Sequence, residues 1–135
     1  MLKTYLKKTL LTAAVILLWC CKGTAQVSAD TIVGNWITTP GNTIIITVYK
    51  SNDLYDGKIS WAKDSVAKPK GFLILEGLSF DAEDGNWQKG KIHTPKGKTY
   101  NASAKIKADG TLEVHGYTAI RFIGSRKNFK RIPEK

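Results

Sequence analysis

Apolar and polar positions alternate most regularly between Trp87 and Tyr117, where three strand-like runs follow one another with turn residues between them. Residues 87–93 form the first run, Thr94-Pro95-Lys96-Gly97 turns it, residues 99–107 run back, Ala108-Asp109-Gly110 turns again, and residues 111–117 form the third. Successive side chains of a strand point to opposite faces. Tyr100, Ala102, Ala104 and Ile106 therefore share one side, while Asn101, Ser103, Lys105 and Lys107 share the other. Leu112, Val114 and Gly116 alternate in the same way against Glu113 and His115. The pattern predicts an antiparallel meander with one buried face. Ala102, Ala104 and Gly116 leave room on that face, for a ligand or for a bulky neighbour such as Trp87.

The pattern continues upstream. Residues 30–37 carry Gly34-Asn35-Trp36, with a tryptophan large enough to plug one end of a core, and Pro40-Gly41-Asn42 turns the chain. Residues 43–50 are rich in β-branched side chains, with Ile44, Ile46 and Val48 on one face. After Ser51-Asn52-Asp53, residues 54–61 place Tyr55, Gly57, Ile59 and Trp61 on one side and Asp56, Lys58 and Ser60 on the other. Residues 62–70 are polar and read as a mobile loop. Residues 71–78 are apolar without clean alternation, which predicts burial on both sides or a lid over an open end. Asp81-Ala82-Glu83-Asp84-Gly85 resembles the start of a calcium loop but lacks its closing glutamate, so a plain turn is expected. Residues 122–132 form a last strand with Arg126, Phe129 and Arg131.

About eight strands and no amphipathic helix define an all-β domain. Closing them as an antiparallel up-and-down barrel removes the exposed edges; a two-sheet sandwich is the competing architecture. At 135 residues the chain holds one domain, residues 26–135, behind a segment of another kind. Lys3, Lys7 and Lys8 precede an apolar run over residues 10–19, and Gly23-Thr24-Ala25 offers small residues where a signal peptidase cuts. Residues 1–25 are therefore expected to be a cleaved export signal, with a second permissible cut after Ala29. The apolar run is shorter than the roughly 20 residues of a spanning helix. Lipid anchoring at Cys20 or Cys21 is the disfavoured variant, because Trp19 precedes them where a lipoprotein site needs small residues. Periplasm or cell envelope is the expected location.

Removal of that signal takes away four of the 21 basic side chains and none of the 11 acidic ones, which leaves a formal charge of +6. Basic strands interleaved with aromatics also occur in single-strand-binding barrels, but export argues against nucleic acid. Lysines on alternate positions are accounted for as solvated strand faces, with weak attraction to an anionic envelope surface as the further possibility. His93 and His115 lack two further ligands for zinc, no elbow motif frames Ser60 or Ser103 as a nucleophile, and Asp81, Glu83 and Asp84 sit in one turn. No enzyme, metal or cofactor is expected, and the oligomeric state is open.

Gly34-Asn35-Trp36, Gly57-Lys58-Ile59-Ser60-Trp61, Gly90-Lys91-Ile92, Gly97-Lys98-Thr99-Tyr100, Asp109-Gly110-Thr111-Leu112 and Gly116-Tyr117 form an ordered series. In that series the chain resembles the exported bacterial family catalogued as domain of unknown function 2147, from about Asp30 to Ile132. It departs from the family pattern in its short segment 63–70 and in His93-Thr94 after Gly-Lys-Ile. The resemblance implies a lipocalin-like barrel and no assigned activity. It further implies that Trp36 packs beneath an arginine of the last strand, Arg131 or Arg126, and closes one end. Two functions remain open. One is a barrel that binds a small apolar or amphipathic ligand among Tyr55, Ile59, Trp61, Leu73, Leu75, Trp87, Tyr100 and Val114. The other is an envelope interaction protein whose barrel is filled by its own side chains and whose basic surface meets protein, lipid or polysaccharide.

Overall fold

A computed structural model describes residues 27–63, 70–94, 97–118 and 124–134. The expected export signal with Cys20 and Cys21, and most of the polar loop after Trp61, lie outside these residues.

Eight strands run in chain order: β1 (Gly34–Thr39), β2 (Ile44–Ser51), β3 (Leu54–Ala62), β4 (Leu73–Asp81), β5 (Asn86–His93), β6 (Thr99–Ile106), β7 (Leu112–Tyr117) and β8 (Gly124–Arg131). Each pairs antiparallel with the next, and β8 returns to pair with β1, so the sheet closes into an up-and-down barrel without free edges. The sandwich alternative is thereby excluded. Tight hairpins set the registers. Asn52 and Asp53 both take positive φ, 49° and 64°, in a two-residue turn whose twist matches the strands it joins, with Ser51 paired to Leu54. The acidic stretch after Asp81 is a turn, in which the Asp81 carboxylate accepts the backbone N–H of Glu83 at 2.9 Å.

Irregular alternation in the sequence corresponds to bulges. On β4, Leu75 faces Gly57 and Leu78 faces Tyr55, so both leucines point inward although they stand three positions apart. The extra residue is absorbed at Gly77, whose φ of 70° suits glycine and whose N–H is held by the Asp56 carboxylate at 2.8 Å. The compact run 71–78 is thus part of the wall and not a lid. On β3, Ile59 faces Ile46 and Trp61 faces Ile45, which leaves Ser60 as the extra residue. Parity flips there, and Trp61 turns to the outer face.

One end of the barrel is closed by a 3-10 turn, Ala29–Ile32, that precedes β1. Ile32 and Trp36 are fully buried. Three carbonyls of the turn and the Asp30 carboxylate accept from side chains of the wall. The Trp36 indole N–H donates to the Ile32 carbonyl at 2.9 Å and that of Trp87 to the Ala29 carbonyl at 3.1 Å. Arg131 donates to the carbonyls of Val33, at 3.1 Å, and Thr31, and the Tyr55 hydroxyl donates to Asp30. The Arg131 guanidinium also lies 4.2 Å above the Trp36 ring. Gly34 is required beside it: its φ is 141°, and a Cβ there would stand 2.8 Å from Arg131 Nη1. The floor is therefore a filled, hydrogen-bonded plug.

Candidate functional site

The opposite end is built from the last residues of β1, β3, β5 and β7 and the first of β2, β4, β6 and β8. Here the described residues leave the barrel unfilled. A cavity of about 550 Å³ is walled by inward side chains of β2 to β5, β7 and β8, with Ile46, Ile59, Leu75, Ile92, Val114 and Phe129 as its apolar lining. Its rim carries Thr38, Thr39, Pro40 and Thr43. The Thr38 hydroxyl oxygen accepts the N–H groups of Thr43, at 2.9 Å, and Ile44, at 3.2 Å, which stiffens this rim. A second chamber of about 340 Å³ shares Ile92, Thr94, Val114 and Lys127 with the first and extends to Tyr100, Gly116 and Ser125. Both lie in the range of small-molecule sites.

The eight residues expected around a ligand divide between several places. Ile59, Leu75 and Val114 line the main cavity, and Tyr100 and Val114 line the second chamber. Tyr55 and Trp87 are buried in the floor, where Trp87 faces the small Ala104 and packs on Phe80 with ring centroids 5.1 Å apart. Room left by the small residues is accordingly used in two ways: Ala104 admits Trp87, and Gly116 opens the second chamber. Trp61 is 45% exposed on the outer face because of the β3 bulge, so its expected place in the pocket is corrected. Leu73 is corrected too. It pairs with exposed Lys58, and β4 lines the cavity with Ile74 and Leu75 instead.

Of the two arginines offered for closure, Arg131 stacks on Trp36, whereas Arg126 stands five residues away on the opposite parity and meets Glu113, Nε to Oε1, at 3.5 Å. Parity also gives what sequence reasoning missed. Counting back by twos from an inward Arg131 reaches Phe129, Lys127 and Ser125, and the register agrees: Phe129 faces Leu112 and Lys127 faces Val114.

Of the groups weighed for catalysis, His93 stands at the rim of the main cavity and the others fall on the outside. His93 contacts Glu76 at 2.8 Å through Nε2 and Thr99 at 3.0 Å through Nδ1, at the edge of the mouth. Ser60 donates to the Ile45 carbonyl at 3.3 Å. Ser103 and His115 oppose each other across β6 and β7, both buried, on the outer side of the sheet. The His115 ring packs on Tyr117 with centroids 5.3 Å apart, and the neighbouring Glu113 is held by Lys105 at 3.7 Å as well as by Arg126. Among the described residues no three His, Cys, Asp or Glu side chains gather as a metal site would require. What the arrangement offers is concave apolar surface with a polar rim, the chemistry of binding.

Comparison with known proteins accords with this geometry. No curated protein matches the chain. Among solved structures, the protein HP1028 from the human pathogen Helicobacter pylori, described as belonging to the lipocalin family, superposes with a TM-score of 0.63 at 18% identity, over 82% of this chain and 86% of that one. The likeness is one of fold. The profile of a family described as uncharacterized protein conserved in bacteria, DUF2147, matches residues 34–131. That stretch runs from the first residue of β1 to the last of β8, and the chain therefore belongs to the DUF2147 family, with a lipocalin-like barrel as its fold.

Proposed function

We propose that this chain is an exported, non-catalytic binding protein of the bacterial envelope that takes a small apolar or amphipathic molecule into the mouth of its barrel. The carrying observation is the difference between the two ends. At the floor, Trp36, Trp87 and Tyr55 fill the interior and meet a plug that satisfies their polar groups. Toward the mouth, six buried or half-buried apolar side chains surround about 550 Å³ that no side chain of the described residues occupies. Eight-stranded barrels sit where the interior is just filled or holds one small ligand, and this one does each at a different end. The lipocalin-like fold supports the same reading, as do the lysines and apolar run at the N-terminus for export.

The filled floor is the one feature that favours the competing reading, a barrel acting through its basic surface. That reading leaves the cavity among the described residues without a use.

Native mass spectrometry of the mature protein, taken from its own envelope fraction and followed by solvent extraction, separates the two. A stoichiometric apolar molecule, displaced by Val114→Trp with the fold retained, is the expected result. A bare mass that persists after incubation with an envelope lipid extract would overturn the proposal.

A further inference from the structure

We infer that Lys127 is the anchor for an anionic head group, so that the ligand is a single-chain amphiphile with a carboxylate or phosphate at one end and an apolar tail. The inference rests on the binding function proposed above and narrows its ligand class.

Lys127 is placed by register, not by chance of rotamer. It faces Val114, whose side chain is buried in the interior, and it alternates with Phe129 and Arg131, which also point inward. Lys127 lines both chambers and so stands where they meet, and it is exposed. A lysine on an inward position beside Val114, Ile92 and Phe129 is costly unless its ammonium reaches water or a counter-charge. No carboxylate lines either chamber among the described residues, and none is within ion-pair distance of Lys127 among them. Arg126, the other formal cation of the lining, is already engaged by Glu113 at 3.5 Å.

The neighbours of Lys127 complete the chemistry. Thr94, whose hydroxyl oxygen accepts the Lys98 N–H at 3.1 Å, and the hydroxyl-bearing Thr118 and Ser125 line the second chamber. Ile46, Ile59, Leu75 and Phe129 present a surface with no donor or acceptor on the other side. An anionic head at Lys127 would gain a charge-assisted hydrogen bond at the junction, and its tail would replace water in the larger cavity. A neutral apolar molecule would gain only the second term.

The test uses parinaric acid and its methyl ester, two polyene probes that share one tail and differ in head-group charge. Fluorescence titrations are run on the mature protein, on Lys127→Gln, and on Lys130→Gln, which removes the same charge from the outer face. Acid binding is expected to be roughly tenfold tighter than ester binding, the worth of one hydrogen bond to a charged group. That preference disappears in Lys127→Gln with ester affinity unchanged, and it persists in Lys130→Gln. Competition by dodecanoate against dodecyl phosphate then tells a carboxylate from a phosphate head. Equal binding of acid and ester, unaffected by Lys127→Gln, would overturn the anchor and leave the cavity reading standing. Binding of neither probe would overturn the cavity reading and the anchor with it.

Discussion

Tyr55 shows how one polar atom in the floor couples folding to pH. Its ring is buried and its hydroxyl donates to Asp30, whose carboxylate also has Lys50 at 3.7 Å. Burial and then the Asp30 carboxylate push the phenol up to about 12 from its ordinary 10.0. The Asp30 carboxyl is lowered from 3.8, first by the Tyr55 bond and then by Lys50. The two signs are opposite. A phenol that holds its proton more tightly when folded stabilises fully below pH 10.0 and loses that contribution as pH rises toward about 12. A carboxyl that holds its proton less tightly when folded stabilises above 3.8 and loses that contribution as pH falls through its lowered folded value. Melting temperature is therefore expected to fall more steeply with alkaline pH in the wild type than in Tyr55→Phe. Parallel curves for the two proteins would show that the bond contributes nothing to this dependence.

Among the elements, the short turn before β1 carries more than its length indicates, because Trp36, Trp87, Tyr55 and Arg131 all direct donors to it. Of the two cuts the sequence offers, the one after Ala29 would remove the carbonyl that accepts the Trp87 indole, together with the Ser28 carbonyl that accepts the Thr31 N–H at 3.1 Å. A chain beginning at Asp30 is expected to be less stable than one beginning at Gln26 by about 1–3 kcal/mol, the cost of an orphaned donor. Denaturant unfolding of the two proteins measures this, and equal midpoints would refute it. Strand order, turns and the meander were legible from alternation and turn residues alone. The pocket was legible only where alternation is unbroken, as at Ile59 and Val114. It failed at Trp61 because a bulge at Ser60 inverts the count, and at Leu73 because β4 shifts register against β3. Tyr55 and Trp87 were correctly inward, but composition does not say which end of a barrel a side chain fills. Lys127 was overlooked because a lysine in a basic strand reads as solvated surface, although parity from Arg131 already pointed it inside.

For the whole molecule, the packed floor lies at the end opposite the cavity, so the contacts that hold the fold are separate from the residues proposed to take a ligand. Arg131→Ala removes a cation–aromatic contact and two hydrogen bonds from the floor, an expected loss of about 2 kcal/mol, while probe binding at the mouth stays as in the wild type. Unchanged stability would show that the stacking is ornamental, and a parallel loss of binding would show that the two ends are coupled. The seam between β1 and β8 carries a consequence for the time course of folding. Every other strand pair joins neighbours in the chain, whereas this one joins residues nearly the whole domain apart, such as Trp36 with Arg131. Such a pairing meets its loop-closure entropy last and slows folding. Without β8 the other seven strands would leave β1 and β7 as unpaired edges and the floor without its arginine. A chain cut short before Gly124 would thus present two strand edges to other chains, and aggregation is the expected fate of such a truncation.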